Sequence, residues 1–203
     1  MIEGEEFQLE FDKIYGEISS WQYQGLDLVK QGPQLNFWRA PIDNDTNFKQ
    51  EWKRAGLDSL KHRIDRVEAE IKEDRAVKIE VDSRIAPPVH SHGFDCKYIY
   101  TIYPDNKIIL KVEGKPEGDL PVLPRIGLKM TLPVNLNQVT WYGLGPGESY
   151  IDSRQAQKVD VYSKTVDELY TPYVYPQENG NRSDIRWAAL TDLSGMGLMA
   201  ASG

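Results

Sequence analysis

Cys96-Lys97-Tyr98-Ile99-Tyr100-Thr101-Ile102-Tyr103-Pro104-Asp105-Asn106-Lys107-Ile108-Ile109-Leu110-Lys111-Val112 decides the fold class. Cys96, Tyr98, Tyr100 and Ile102 stand two apart, as do Ile108, Leu110 and Val112, and a two-residue period puts each set on one face of a strand. Pro104-Asp105-Asn106-Lys107 between them supplies the dihedrals of a tight reversal, so the stretch predicts a hairpin with one apolar face. The same alternation recurs outward in both directions, in Phe7-Leu9-Phe11, Val67-Ala69-Ile71, Val77-Ile79-Val81, Ile126-Leu128-Met130-Leu132 and Ile185-Trp187-Ala189. Turn chemistry separates these runs at Tyr15-Gly16-Glu17, Lys72-Glu73-Asp74-Arg75 and Leu193-Ser194-Gly195. Only Phe48, Trp52 and Ala55 recur at helical spacing, with Gly56 as a left-handed stop. Many half-buried strands, one short helix and no strand–helix–strand alternation predict an all-β chain: a large antiparallel β-sandwich forming one domain over residues 1–203.

The size supports a packed core. A chain of 203 residues, 40% hydrophobic and 27% charged, buries about 70% of its unfolded surface and needs no disulfide or metal to do so. The single cysteine, Cys96, makes no bridge within the chain. With 24 basic and 31 acidic residues the net charge is −7 and is scattered, which argues against nucleic acid and against an anionic membrane surface as partners. No apolar run approaches the roughly 18 residues of a spanning helix, and Met1-Ile2-Glu3-Gly4-Glu5-Glu6 is too acidic and short for a signal peptide. That start, together with an apolar strand pattern at Met196–Ala201 with no polar tail, leads us to expect a piece of a longer protein whose last strands lie elsewhere.

Three motifs invite a site and lack its parts. Gly143-Leu144-Gly145-Pro146-Gly147 has Glu148 where a dinucleotide fingerprint needs its third glycine, and Pro146 removes a backbone donor, so we expect a glycine turn where backbones approach closely. Ser149 is no elbow nucleophile, because Ile151 stands where that turn needs glycine. Asp43-Asn44-Asp45-Thr46-Asn47 opens like a calcium loop, but Phe48 and Arg54 occupy the positions of the required Gly and Glu. These side chains are expected to cap the helix beginning near Phe48, with Arg39 and the two aspartates bracing its start. His90-Ser91-His92 with Asp95 and Cys96 has metal-ligand types without a third or fourth ligand in register, and we expect no metal there.

Tyr170-Thr171-Pro172-Tyr173-Val174-Tyr175-Pro176-Gln177-Glu178-Asn179-Gly180-Asn181-Arg182 is the stretch richest in recognition chemistry. Aromatic faces stack on the apolar side of a sugar ring, while Glu178, Asn179 and Arg182 can hold hydroxyls; Tyr170 and Tyr173 complete the candidate set. The competing expectation is a stiff, Pro-bounded segment whose tyrosines cover an edge and whose polar groups brace turns or a neighbouring domain.

At these residues a family becomes recognisable. Phe37-Trp38-Arg39-Ala40-Pro41-Ile42-Asp43-Asn44-Asp45 resembles the motif opening the C-terminal, small-chain sandwich of the large bacterial β-galactosidases of glycoside hydrolase family two. Arg125-Ile126-Gly127-Leu128, then Trp141-Tyr142-Gly143-Leu144-Gly145-Pro146 with Glu148 and Tyr150, then Tyr170 to Arg182 with Arg186-Trp187, follow in the family's order. Arg39, Asp43, Asn44, Asp45, Gly143, Gly145, Glu148 and Tyr150 are thereby marked as motif residues of structural weight. Ser149 departs from the family's usual Asn, and Ser153 from the Arg that commonly follows the position of Asp152.

The resemblance implies a galactose-mutarotase-like supersandwich that is not the catalytic part. The family's acid and nucleophile glutamates sit on a separate (β/α)8 barrel, about 5 to 5.5 Å apart as a retaining mechanism requires. It implies no cofactor in this chain, a divalent metal, magnesium, in the parent's catalytic domain, and a homo-oligomeric parent in the bacterial cytoplasm or periplasm. Its partners would be the parent's other domains and a galactoside substrate. The alternative is a freestanding, mutarotase-like sugar-acting or sugar-binding sandwich, with His92 and Glu178 as acid and base.

Overall fold

A computed structural model of the chain describes residues 1–202. They fall into two compact units, Met1–Thr131 and the residues from Leu132 onward. In the first unit, β1 (Ile2–Glu3), β2 (Phe7–Asp12), β3 (Glu17–Tyr23), β4 (Leu26–Val29) and β5 (Gln31–Asn36) precede a helix, α1 (Lys49–Arg54). Four long strands follow, β6 (Lys61–Ile71), β7 (Val77–Ala86), β8 (Gly93–Ile102) and β9 (Ile108–Glu117), and then β10 (Gly127–Thr131). The first sheet runs β1-β2-β3-β5-β10 with β4 also on β3, the second β6-β7-β8-β9, and every pairing is antiparallel.

The two sheets face each other as a sandwich. Leu9 and Ile18 from one sheet and Val81, Ile85, Tyr100 and Ile102 from the other are buried. The Phe11 ring meets the Tyr100 ring edge-on at 5.2 Å, and Phe37 stacks on Phe94 at 3.9 Å. Aromatic hydroxyls inside such a layer need partners. Tyr98 Oη accepts the Leu35 N–H at 3.0 Å, and Tyr100 Oη donates to the Pro33 carbonyl at 3.2 Å. Burial pushes the Tyr98 phenol up to about 12 and the Cys96 thiol up to about 11, so both stay neutral inside the layer.

The hairpin expected from Cys96 to Val112 is β8–β9, and its turn places Asn106 at positive φ, the conformation that made Asn the fitting residue. Asn106 Oδ1 also takes the Trp21 indole N–H at 2.7 Å, tying that turn to the opposite sheet. Three readings need correction. The expected helix is α1, but Phe48 enters it with no side-chain cap. Asp43–Asp45 forms its own 3-10 turn instead, because Asp45 is already taken by Arg39 and by the Ile42 N–H. Gly143 and Gly145 lie in a strand rather than a turn. The row Ile126, Leu128, Met130 alternates as expected yet stays exposed, on and beside the edge strand β10.

The outward face of β6–β9 is laced with ion pairs. Glu80 binds both Lys78 and Lys97, the latter at 2.5 Å, and these contacts hold its carboxyl down at about 2. Arg84–Asp95, from β7 to β8, and Lys111–Glu113, along β9, each at 2.6 Å, continue the pattern.

The second unit is one antiparallel sheet of order β12-β11-β13-β14, from β11 (Gln138–Gly145), β12 (Lys158–Thr165), β13 (Trp187–Thr191) and β14 (Gly197–Ala201). Register places Val161, Tyr142 and Trp187 in one cross-strand row and Ala189 with Met199 in the next. The strand expected from Ile185 starts two residues later, at Trp187. Among the described residues no helix is long and apolar enough to cross a membrane.

Candidate functional site

The recognition-rich segment is assembled on the end of β11. Gly143 and Gly145 belong to that strand; the close backbone approach expected of them holds at Gly143, while Gly145 leaves room for the Tyr162 and Trp141 rings. A Cβ on Gly143 would stand 2.8 Å from the Asp184 carbonyl oxygen and 2.9 Å from Ile185 Cα. Only glycine lets the chain leaving Arg182 cross there. Trp141 on the same strand is buried, donates its indole N–H to the Leu144 carbonyl at 3.0 Å, and carries the Arg182 guanidinium over its ring at 5.5 Å.

Beyond the strand, Glu148 becomes the hub. Its Oε1 accepts the Tyr173 hydroxyl and its Oε2 the Gly180 N–H at 2.9 Å. Burial alone would raise this carboxyl. The hydrogen bonds from Tyr173, Gly180 and Thr171, helped by the Arg182 charge, outweigh it and hold the group below the usual carboxylate range. The same contact pushes the Tyr173 phenol up to about 12. Gly180 sits at φ +76 with the Leu169 carbonyl where a side chain would begin, which suits glycine alone.

The other polar residues of the segment point into its own backbone. Arg182 Nη1 donates to the carbonyls of Gly180 at 2.7 Å and Leu169 at 3.0 Å, and Nη2 to Pro146 at 3.4 Å. Burial lowers its pKa against the pull of Glu148, and its buried Nε has no hydrogen-bond partner. Asn179 accepts the Thr171 N–H and donates to the Gln177 carbonyl, both at 3.1 Å, closing the segment on itself. Tyr150 Oη receives the Asn181 N–H at 3.5 Å. What faces solvent is mostly apolar: Tyr170 is 64% exposed, Tyr173 42% and Tyr175 63%, with Val174 and two prolines exposed beside them.

The structure thus brings Glu148, Tyr150, Tyr173, Asn179 and Arg182 into one network, and Glu178 lies within the same loop. Arg39, Asp43, Asn44 and Asp45 belong to the first unit. There Arg39 grips Asp45 through Nη1 at 2.5 Å and Nη2 at 3.0 Å, and Asn44 is exposed. Sequence reasoning missed Ser149 and Asn181. Ser149 is fully buried; its N–H donates to the Asn181 carbonyl at 2.7 Å, and its hydroxyl oxygen receives the Ser183 N–H at 2.8 Å. Asn181 Nδ2 returns a bond to the Ser149 carbonyl at 2.7 Å. A small hydroxyl residue wedged between Glu148 and Tyr150 was the available signal.

Among the described residues no three His, Cys, Asp or Glu side chains gather to hold a metal ion. His92, half of the candidate acid–base pair, directs Nε2 to the Ala55 carbonyl at 2.8 Å. The candidate site offers stacking faces on a hydrogen-bonded frame.

Known proteins resemble the chain along most of its length. Residues 3–202 match the family model described as beta galactosidase small chain. A β-galactosidase of Priestia megaterium is 32% identical over 206 residues, covering 98% of this chain and 19% of that protein. One of Vibrio cholerae is 34% identical over 91% of the chain and 19% of its own length, and one of Kluyveromyces lactis 38% identical over 85% and 17%. The chain spans about a fifth of the length of these relatives. With an all-β antiparallel fold and a family match along nearly its whole length, the chain belongs to the β-galactosidase small chain family.

Proposed function

We propose that this chain serves as the noncatalytic small-chain part of a β-galactosidase acting on terminal β-galactosides such as lactose. In this reading it packs on the parent's catalytic barrel and lends the active site part of its carbohydrate-binding wall. The observation that carries the wall is Tyr173, a surface ring whose hydroxyl is tethered to Glu148 in a Pro-bounded segment. A ring fixed in this way loses little conformational freedom when a sugar face stacks on it. Tyr170, Tyr173 and Glu178 would meet the sugar, and Asn179 and Arg182 would keep the rings in place. The freestanding mutarotase-like alternative draws less support, because His92 is engaged with the Ala55 carbonyl.

The test pairs turnover with binding. The purified chain should leave a chromogenic β-galactoside intact. Galactose or lactose should shift the Tyr170 and Tyr173 resonances saturably with about millimolar affinity, since one wall buries little ligand. Turnover abolished by replacing one Asp or Glu would place a catalytic pair in this chain. Silence at both tyrosines up to high sugar concentration would make the segment a domain contact instead.

A further inference from the structure

In the first unit a cleft of about 270 Å3 opens where β5 and β10 face the start of β6. Glu17, at the head of β3, lines it and is 5% exposed. Its Oε1 accepts the Gln31 Nε2 donor at 3.1 Å, while Oε2 is buried with no hydrogen-bond partner. A buried carboxylate oxygen left unpaired costs of the order of its desolvation penalty, and native folds keep such groups where something else satisfies them. Burial raises the Glu17 pKa against the Gln31 bond, in keeping with that oxygen lacking a donor.

The rest of the lining is mixed in a telling way. Gln34, Lys129 and Thr131 bring donors and acceptors, and His62, whose pKa burial lowers, adds an imidazole that is neutral at pH 7. Leu60 and Met130 supply apolar surface between them. An anion site would gather donors, and an apolar ligand would leave the amides unpaired. A lining that mixes donors and acceptors with apolar side chains suits a molecule carrying hydroxyls on a carbon ring. The volume lies just below the roughly 300 Å3 lower end for drug-sized ligands, which suits one ring rather than two.

We propose that this cleft binds a small, neutral, polyhydroxylated molecule, a monosaccharide in chemical class, with a ligand hydroxyl donating to Glu17 Oε2 once the carboxylate turns toward the cleft. The inference is independent of the wall reading, since its residues all lie between Glu17 and Thr131. The test is nitrogen-15 chemical-shift titration of the whole chain with galactose, with glycerol as a shorter polyol and inorganic phosphate as an anion probe. Galactose should shift the side-chain amides of Gln31 and Gln34 saturably, and Glu17→Gln and Gln34→Ala should each weaken that binding at least tenfold. If Glu17→Gln does not fold, Gln34→Ala alone decides. Galactose binding unchanged in the folded variants, saturation by phosphate in preference to galactose, or no saturable shift at Gln31 and Gln34 would each overturn the proposal. Shifts at Tyr173 without shifts at Gln34 would do the same while leaving the wall reading intact.

Discussion

Two carboxylates organise two loops of this chain in opposite ways. Asp45 closes a local circuit, gripping Arg39 six residues back through both oxygens and taking the Ile42 N–H at 2.8 Å. Glu148 reaches 25 residues to Tyr173 and 32 to Gly180, and its partners, a phenol, an amide and the Thr171 hydroxyl, are all neutral. In the first loop charge meets charge in a nearly dry setting, beneath a cation–π contact of Arg39 with Trp52 at 5.4 Å. In the second, the nearby guanidinium of Arg182 turns its donors to carbonyls. The local fork stabilises one turn, whereas the long-range hub fixes the shape of a surface. Damage to the first should therefore appear as lost stability, and damage to the second as lost order in the exposed rings.

The largest effect is expected at the fork. Asp45→Ala strips the partner from a guanidinium whose side chain is 17% exposed and should lower unfolding free energy by about 3 kcal/mol in urea denaturation. Glu148→Ala should cost less, about 1.5 kcal/mol, because its donors are neutral and water can replace it. The same change should bring the Tyr173 phenol down from about 12 toward the ordinary value near 10 in an ultraviolet titration. Equal costs at the two positions, or an unmoved Tyr173, would erase the contrast.

The pH dependence sharpens it. Burial would raise the Asp45 carboxyl, but the Arg39 hydrogen bonds, the Ile42 N–H and the Arg39 charge outweigh burial and lower it. A depressed folded pKa contributes stability that is fully present above the unfolded value, about 3.9, and is lost as pH falls through the folded value. The stability gap between the unmodified chain and Asp45→Asn should therefore be constant above about pH 5 and close on further acidification. A gap that widened in acid would contradict the fork. The smallest effect belongs to Tyr175→Ala, where an exposed ring should alter stability by no more than about 0.5 kcal/mol.

How much of this was legible follows from the range of the forces involved. The β8–β9 hairpin could be read because both its apolar face and its Asn106 turn are written within seventeen consecutive residues. The strand character of Gly143 could not. It answers to a backbone crossing at Asp184 and Ile185, about forty residues on, and locally its glycine-rich stretch mimics a turn. The helix near Phe48 was legible from Trp52, which is buried and donates its indole N–H to the Val122 carbonyl at 2.7 Å. Its cap was misread because nothing near Asp45 announces that Arg39 will claim it. In the candidate site, residue types were visible but directions were not. Arg182 and Asn179 look like sugar ligands in sequence, and only the fold turns them inward onto carbonyls. Ser149 and Asn181 escaped for the same reason, as Ser149 bonds Asn181 and Ser183 across more than thirty residues of chain.

The ion-paired outer face of β6–β9 also bears on how copies of this chain meet. β9 is an edge strand, and an edge offers unpaired N–H and C=O groups as a template for another molecule. Along one side of β9 stand Lys111, Glu113, Lys115 and Glu117, paired with one another at 2.6 Å in two couples. A second chain adding there would have to lay its own side chains against this solvated row and strip water from it. Fibre growth in that direction thus meets a barrier of hydration, and the sheet ends at β9 as a closed margin instead of a seed.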